Sequence, residues 1–110
     1  LLRAVGELEK ALADFTRALE LEPDYWEACY NRAQALADGG RYRESLADLS
    51  RLPKTYRDSA YVLISTANAK SHLGDQAGAL ADYNVALLKN PSSAEALINR
   101  GYLFFSEKRY

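Results

Sequence analysis

The stretch Gly6-Glu7-Leu8-Glu9-Lys10-Ala11-Leu12-Ala13-Asp14-Phe15-Thr16-Arg17-Ala18-Leu19-Glu20-Leu21-Glu22-Pro23 returns, in outline, as Gly74-Asp75-Gln76-Ala77-Gly78-Ala79-Leu80-Ala81-Asp82-Tyr83-Asn84-Val85-Ala86-Leu87-Leu88-Lys89-Asn90-Pro91. Glycine opens both, proline closes both, and the small residues Ala11 and Ala18 reappear as Ala79 and Ala86. Gly40 falls midway, so the step is 34 residues (40 − 6 = 34 = 74 − 40). The columns Ala33/Ala67/Gly101, Ala11/Ser45/Ala79, Leu12/Leu46/Leu80 and Asp14/Asp48/Asp82 keep the same step. A fixed period in this range marks stacked supersecondary units, each too small to bury its own apolar face, and not a globule closed around one active site.

Within each unit the apolar spacing is helical. Leu8, Ala11, Leu12, Phe15, Ala18 and Leu19 advance by three and four, which predicts one apolar stripe on a helix over 7–21. Pro23 stops it, and Asp24 with Glu27 has the form of a capping box for a second helix carrying Trp26, Cys29, Tyr30, Ala33, Leu36 and Ala37. Gly39-Gly40 ends that helix. A third runs from Arg41 to Leu52, where Pro53 forces the chain out of helical geometry. Helices follow over 59–73, from the Asp75 cap to Leu87, and from Ala94 to Ser106 behind a box-like Ser92/Glu95 start. The result is all-α, with about six helices in antiparallel pairs, because no stretch alternates apolar and polar residues as a strand requires. Ala33, Ala67 and Gly101 permit close helix approach, while Phe15, Leu49 and Tyr83 supply bulk. Stacked pairs build an αα-superhelix, or solenoid.

Composition narrows the function classes. The 110 residues carry 14 Lys+Arg against 15 Asp+Glu, a net charge of −1, so no global field attracts nucleic acid or anionic lipid. No apolar run reaches the roughly 18 residues that span a bilayer, so membrane insertion is not expected. The single cysteine, Cys29, cannot form an internal disulfide and points to a reducing, cytoplasmic setting. Cys29 lies on an apolar stripe, where a buried thiol is expected; His72 lies at a helix end beside Gly74, where an exposed imidazole is expected. They share no repeat, so no nucleophile–base pair is expected and no residue is assigned a catalytic role. No Cys-x-x-Cys, His-x-x-x-His or clustered carboxylates offer a metal site, and no glycine-rich phosphate cradle implies a nucleotide cofactor. Enzymatic activity, metals and cofactors are therefore not expected.

The residues Gly6, Ala11, Phe15, Ala18 and Pro23, repeated as Gly74, Ala79, Tyr83, Ala86 and Pro91, resemble the tetratricopeptide repeat, a helix-turn-helix unit of the same period. The resemblance covers the whole chain. It implies the second helix of one repeat over 1–25, whole repeats over 26–59 and 60–93, and the first helix of another over 94–110, as in a piece of a longer array. Departures from the family pattern are Cys29 and Leu63 at a tryptophan position, Arg32, Thr66 and Arg100 at a leucine position, and Arg57 at the closing proline. The spacing from Asp14 to Arg32 equals that from Asp82 to Arg100 (32 − 14 = 18 = 100 − 82), which suggests ion pairs between successive repeats.

In this family the first helix of each repeat lines a concave groove. Its inward positions correspond to Glu27, Tyr30, Asn31 and Gln34, to Tyr61, Ile64, Ser65 and Asn68, and to Glu95, Ile98, Asn99 and Tyr102. Amides can both donate to and accept from a peptide backbone, and tyrosine adds apolar area with a polar tip. The implied function is a non-catalytic protein-protein interaction scaffold that takes a peptide or partner helix. Members that hold acidic chaperone tails use lysines and an arginine, which Tyr30, Asn31, Gln34, Tyr61 and Ser65 do not supply, so a neutral or mildly basic segment is the expected ligand. A second expectation is self-association through terminal helices, with Leu1, Leu2 and Leu8 at one end and Phe104 and Phe105 at the other. Single-stranded RNA binding, as in related pentatricopeptide arrays, is disfavoured by the period and by the lack of groove cations.

Overall fold

The structure is a computed structural model that describes the backbone of residues 2–107 and the side chains of residues 6–106. The described residues form seven helices: α1 (Leu2–Leu21), α2 (Trp26–Asp38), α3 (Tyr42–Arg51), α4 (Lys54–Arg57), α5 (Ala60–His72), α6 (Gln76–Lys89) and α7 (Ala94–Glu107), with no strand among them. The chain divides after Pro53 into two compact units, Leu1–Pro53 and Lys54–Tyr110.

In the first unit α1 packs on α2 and α2 on α3. The buried set is Leu12, Leu19, Ala28, Cys29, Ala33, Leu36, Leu49 and Leu52, with Ser45 and Asp48 as its polar members. Ser45 is tolerated there because its hydroxyl donates to the Ala33 carbonyl at 2.8 Å. In the second unit α5 packs on α6 and α6 on α7. Ile64, Ala67, Ala79, Tyr83, Ala86, Leu87, Ala96 and Leu103 form its core. Ala33 and Ser45 in the first unit and Ala67 and Ala79 in the second are buried, so close backbone approach is what these small residues provide, whereas Ala11 is half-buried and Gly101 exposed.

Two of the three column glycines end helices. Gly40 has φ +79° and Gly74 φ +90°, a region that glycine enters at no steric cost. After α2, Gly40 N–H bonds the Ala37 carbonyl at 2.9 Å and Arg41 N–H the Leu36 carbonyl at 2.8 Å. After α5, Gly74 bonds Ser71 at 3.1 Å and Asp75 bonds Lys70 at 2.9 Å. Both are the paired bonds of a Schellman motif. Gly6 breaks the pattern, for it lies inside α1. Leu2, Arg3 and Ala4 are good helix formers with no stop signal before it, so the ladder runs through the glycine.

The helix starts differ from the expected capping boxes by one residue. Tyr25 N–H bonds the Glu22 carbonyl at 3.0 Å, and Ser93 N–H bonds the Asn90 carbonyl at 3.2 Å. Each closes a β-turn with proline, Pro23 or Pro91, at the second position and the expected cap, Asp24 or Ser92, at the third. The cap role therefore passes to the next residue. Tyr25 makes no side-chain cap bond, whereas the Ser93 hydroxyl accepts from Ala96 N–H at 3.2 Å. A third such turn joins Ser59 N–H to the Tyr56 carbonyl at 3.0 Å although Arg57 replaces the proline. Asp75 caps α6 as expected, accepting from Gly78 N–H at 2.9 Å.

Pro53 acts as expected too. Leu52 adopts φ −65°, ψ 146° and ends α3. Beyond it the chain makes the single turn α4 before α5, an element the sequence pattern does not reveal.

Candidate functional site

In the second unit the first-helix positions of α5 and α7 meet around one amide. Asn68 Oδ1 accepts from Asn99 Nδ2 at 3.0 Å and from the Tyr83 hydroxyl, which reaches it from α6. Tyr83 is only 2% exposed. Burial, and then the Glu95 carboxylate, push its pKa up to about 12, opposed by its bond with Asn99. The phenol is therefore a neutral donor at physiological pH. Asn68 and Asn99 are half-buried. Beside them Tyr61, Glu95, Ile98 and Tyr102 are exposed, and Ile98 and Tyr102 stand one helical turn apart on α7. Ser65 is half-buried, and its hydroxyl donates to the Tyr61 carbonyl at 3.2 Å. Ile64 departs from the inward assignment, since its side chain is packed into the core of this unit and offers nothing to a ligand. The residue stands one turn before Asn68 and is 6% exposed.

In the first unit α2 carries Glu27 and Asn31 exposed and Tyr30 and Gln34 half-buried. The charged residues of this unit are arranged otherwise than the spacing suggested. Arg32 does not pair with Asp14, which is exposed. It grips Asp48 instead, and its Nη1 also reaches the Thr16 hydroxyl at 3.4 Å. The partner comes from the same aspartate column but from within the helix pair α2–α3, 16 residues on (48 − 32 = 16). Arg100 likewise does not pair with Asp82. It donates to Asn84 Oδ1 at 2.8 Å and stacks over Phe104 at 5.8 Å. Asp82 is the counterpart of Asp48, but Thr66 stands where Arg32 would be. Lys70, one turn further along α5, pairs with Asp82 at 2.9 Å.

A cleft of about 340 Å³ in the first unit is lined by Leu12, Thr16, Arg32, Leu36, Arg41, Glu44, Ala47 and Asp48. Its cations are engaged: Arg32 by Asp48, and Arg41 by Glu44 at 2.8 Å and Glu9 at 3.3 Å. It is therefore poorly suited to an anionic ligand.

Cys29 is buried, and its thiol donates to the Asp48 carbonyl at 3.3 Å. Burial raises the thiol pKa, with Asp48 adding to the effect and Arg51 and Arg32 opposing it, so little nucleophilic thiolate forms. His72 ends α5 at the surface. Among the described residues no group of three His, Cys, Asp or Glu could hold a metal ion. No helix among them is long and apolar enough to cross a membrane.

The tetratricopeptide repeat pattern matches residues 2–68 and again 65–110. The Hsp70-Hsp90 organizing protein of Triticum aestivum is 33% identical over 90 residues, 82% of this chain and 16% of that protein. DnaJ homolog subfamily C member 3 of Rattus norvegicus is 31% identical over 94 residues, 86% of this chain and 19% of that protein. The chain thus spans less than a fifth of the length of either relative. Among solved structures, MamA superposes with a TM-score of 0.83 at 18% identity, over 96% of this chain and 61% of that one. The first repeat domain of Spaghetti (RPAP3) bound to the HSP90 peptide SRMEEVD gives 0.83 at 19% identity, over 93% of this chain and 81% of that one. These likenesses place the fold among tetratricopeptide solenoids.

Proposed function

Because the chain belongs to the tetratricopeptide repeat family, we propose that it is a non-catalytic interaction module whose α5 and α7 receive a peptide or partner helix, with α2 offering a like surface in the other unit. The single observation that carries this reading is the meeting of Asn68 and Asn99 beside exposed Ile98 and Tyr102. Amide groups at the surface can satisfy main-chain donors and acceptors, while the isoleucine and tyrosine supply apolar area worth about 25 cal/mol per Å² removed from water. A relative of the same fold holds the peptide SRMEEVD, so a peptide is a ligand of suitable size.

The charge of the ligand follows from this chain's own residues. Glu27 and Glu95 are exposed at these faces, and Tyr30, Asn31, Gln34, Tyr61 and Ser65 bring no cation. A neutral or mildly basic segment suits that surface better than an acidic tail. A cytoplasmic setting, which keeps Cys29 reduced, belongs to the same proposal. The test is a peptide array probed with the chain and with Ile98→Ala/Tyr102→Ala. Alanine favours the helix, so circular dichroism should be unchanged while retention of partners falls. Equal retention by the double variant would exclude this face.

A second reading, self-association, is favoured by one contrast. Leu36 on α2 is 5% exposed, whereas Phe104, its counterpart 68 residues on in α7, is 54% exposed. Conversely Ala11, Phe15 and Ala18 on α1 are half-buried, while their counterparts Ala79, Tyr83 and Ala86 are buried in the core of the second unit, where α5 packs on α6. We propose that α7 of one copy covers α1 of another in the manner of the α5–α6 pair. Leu1 lies outside the described residues, as does the side chain of Leu2, and neither enters this argument. Light scattering over a concentration series should show mass rising with concentration, and a Phe104→Glu variant should stay monomeric. A constant monomer mass for the unaltered chain rules the reading out.

A further inference from the structure

The Asn68 carboxamide has a defined orientation. A carbonyl oxygen carries two lone pairs, and both of those on Asn68 Oδ1 are taken, one by Asn99 Nδ2 at 3.0 Å and one by the Tyr83 hydroxyl. With Asn99 as it stands, turning the Asn68 amide over would set two N–H donors against each other and take from the hydroxyl of a buried phenol its acceptor. Asn68 Nδ2, at the opposite end of the amide plane, therefore faces away from both partners.

The sequence columns separate the hydroxyl from packing. Tyr83 shares its column with Phe15 and Leu49 (83 − 49 = 34 = 49 − 15), so bulk alone satisfies the helix pair and no hydroxyl is required there. The oxygen appears only in the repeat where the α5 helix presents Asn68. Its counterparts at the Asn68 position, Gln34 and Tyr102 (68 − 34 = 34 = 102 − 68), stand in repeats that lack it or extend beyond the described pair.

We infer that Tyr83 is a positioning residue, which holds the Asn68 amide with its N–H groups outward so that the α5–α7 face reads hydrogen-bond acceptors, the main-chain carbonyls of an extended peptide segment. The inference rests on the peptide-binding reading above and adds to it which pole of the peptide bond Asn68 recognises. The raised pKa of Tyr83 agrees, because it keeps the phenol protonated and donating.

Tyr83→Phe removes one oxygen atom and keeps the ring. Two readouts are required. The first needs no ligand: in nuclear magnetic resonance spectra the two Asn68 Nδ2 protons of the unaltered chain should be well separated and slow to exchange, and in Tyr83→Phe they should shift toward the values of a free amide. Asn99→Ala removes the other donor and should move them in the same direction. The second uses peptides enriched from a phage-displayed random linear library on the unaltered chain. Their affinity should fall about tenfold for Tyr83→Phe, the loss of roughly one hydrogen bond's contribution, with helicity retained. Unchanged Asn68 resonances in Tyr83→Phe would overturn the positioning role. Altered resonances with unchanged affinity would overturn its link to recognition. If the unaltered chain enriches no peptide while its Asn68 amide depends on Tyr83, the peptide reading of this face falls and the positioning role stands.

Discussion

Arg32 holds Asp48 in a two-pronged grip, Nε–H to Oδ2 at 2.8 Å and Nη2–H to Oδ1 at 2.6 Å. The side chains are 18% and 6% exposed, so the pair is largely withdrawn from water, and the nearest other cation, Arg51, is 3.9 Å from the carboxylate. Removing one member of such a pair leaves a charge with little hydration, whereas removing both restores an ordinary apolar contact. Arg32→Leu should therefore cost about 2–4 kcal/mol, and Arg32→Leu/Asp48→Leu should recover most of that loss. Asp14→Leu, at an exposed site, should change stability by less than about 0.5 kcal/mol. Urea denaturation of these chains and of Asp48→Leu, which completes the double-mutant cycle, checks this. A double variant whose loss equals the sum of the losses of Arg32→Leu and Asp48→Leu would mean that the two residues contribute independently.

The glycine column gives a sharper contrast, because three residues alike in sequence occupy two different conformations. Gly40 and Gly74 have positive φ. Alanine at either should cost about 1–2 kcal/mol for the left-handed backbone. Gly6 lies inside α1, and a Cβ there would meet nothing within 4 Å. Gly6→Ala should instead stabilise by about 0.5–1 kcal/mol through helix propensity. Thermal denaturation distinguishes the two signs. Destabilisation by Gly6→Ala would place that residue in a turn after all.

That contrast also shows what a sequence column can carry. The Pro53 exit and the buried Cys29 follow from local chemistry, a missing backbone donor and an apolar stripe. The step of 34 residues fixes which residues stand at equivalent places, and helix pairing follows from it. It does not fix what each side chain touches. Arg32 chose Asp48 over Asp14 because the contact lies within a helix pair, and two aspartates of one column look alike until the packing is known. Asp24 and Ser92 lost the cap role because proline-led turns use them as third residues, a one-residue effect below the resolution of a spacing argument. The Tyr83–Asn68 bond joins a packing column to a surface column. Its only trace in the sequence is that Tyr83 has a hydroxyl where Phe15 and Leu49 have none. Ile64 reads as a surface residue by the family pattern, and its burial shows only once the core of the second unit is assembled.

Alkaline pH offers an independent probe of the Tyr83 environment. Its folded pKa is raised from 10.0 to about 12 by burial and by Glu95. Below about pH 10 the phenol is protonated in both states and its contribution to stability is complete. Between about 10 and 12 the unfolded chain loses the proton first, so it binds fewer protons than the native state and stability falls as pH rises. The loss should reach the order of 2 kcal/mol by about pH 12. Tyr83→Phe should lack this component, so the difference between the two chains in urea midpoints, measured stepwise from pH 9 to 12 as roughly the span of the shift, should narrow as pH rises. Parallel curves would show that Tyr83 ionises as freely in the folded chain as in the unfolded one.

The peptide SRMEEVD, held by a relative of the same fold, tests the charge of the proposed ligand most directly. A carboxylate-rich peptide needs fixed cations to replace its hydration. Here Arg32, Lys70 and Arg41 are engaged by the chain's own acids, Asp48, Asp82 and Glu44, and Arg100 on α7 is held by Asn84 and stacked over Phe104. Freeing one of the first three would expose the carboxylate it leaves, so the net field would not improve. Exposed Glu27 and Glu95 add repulsion. Calorimetric titration of SRMEEVD should therefore show no saturable heat at low salt. A Glu95→Lys variant should gain weak binding that disappears as salt is added, since the new attraction is between exposed charges. Saturable binding of SRMEEVD by the unaltered chain would mean that amides and main-chain N–H groups suffice to hold carboxylates at this face, and the expectation of a neutral or basic ligand would have to be given up.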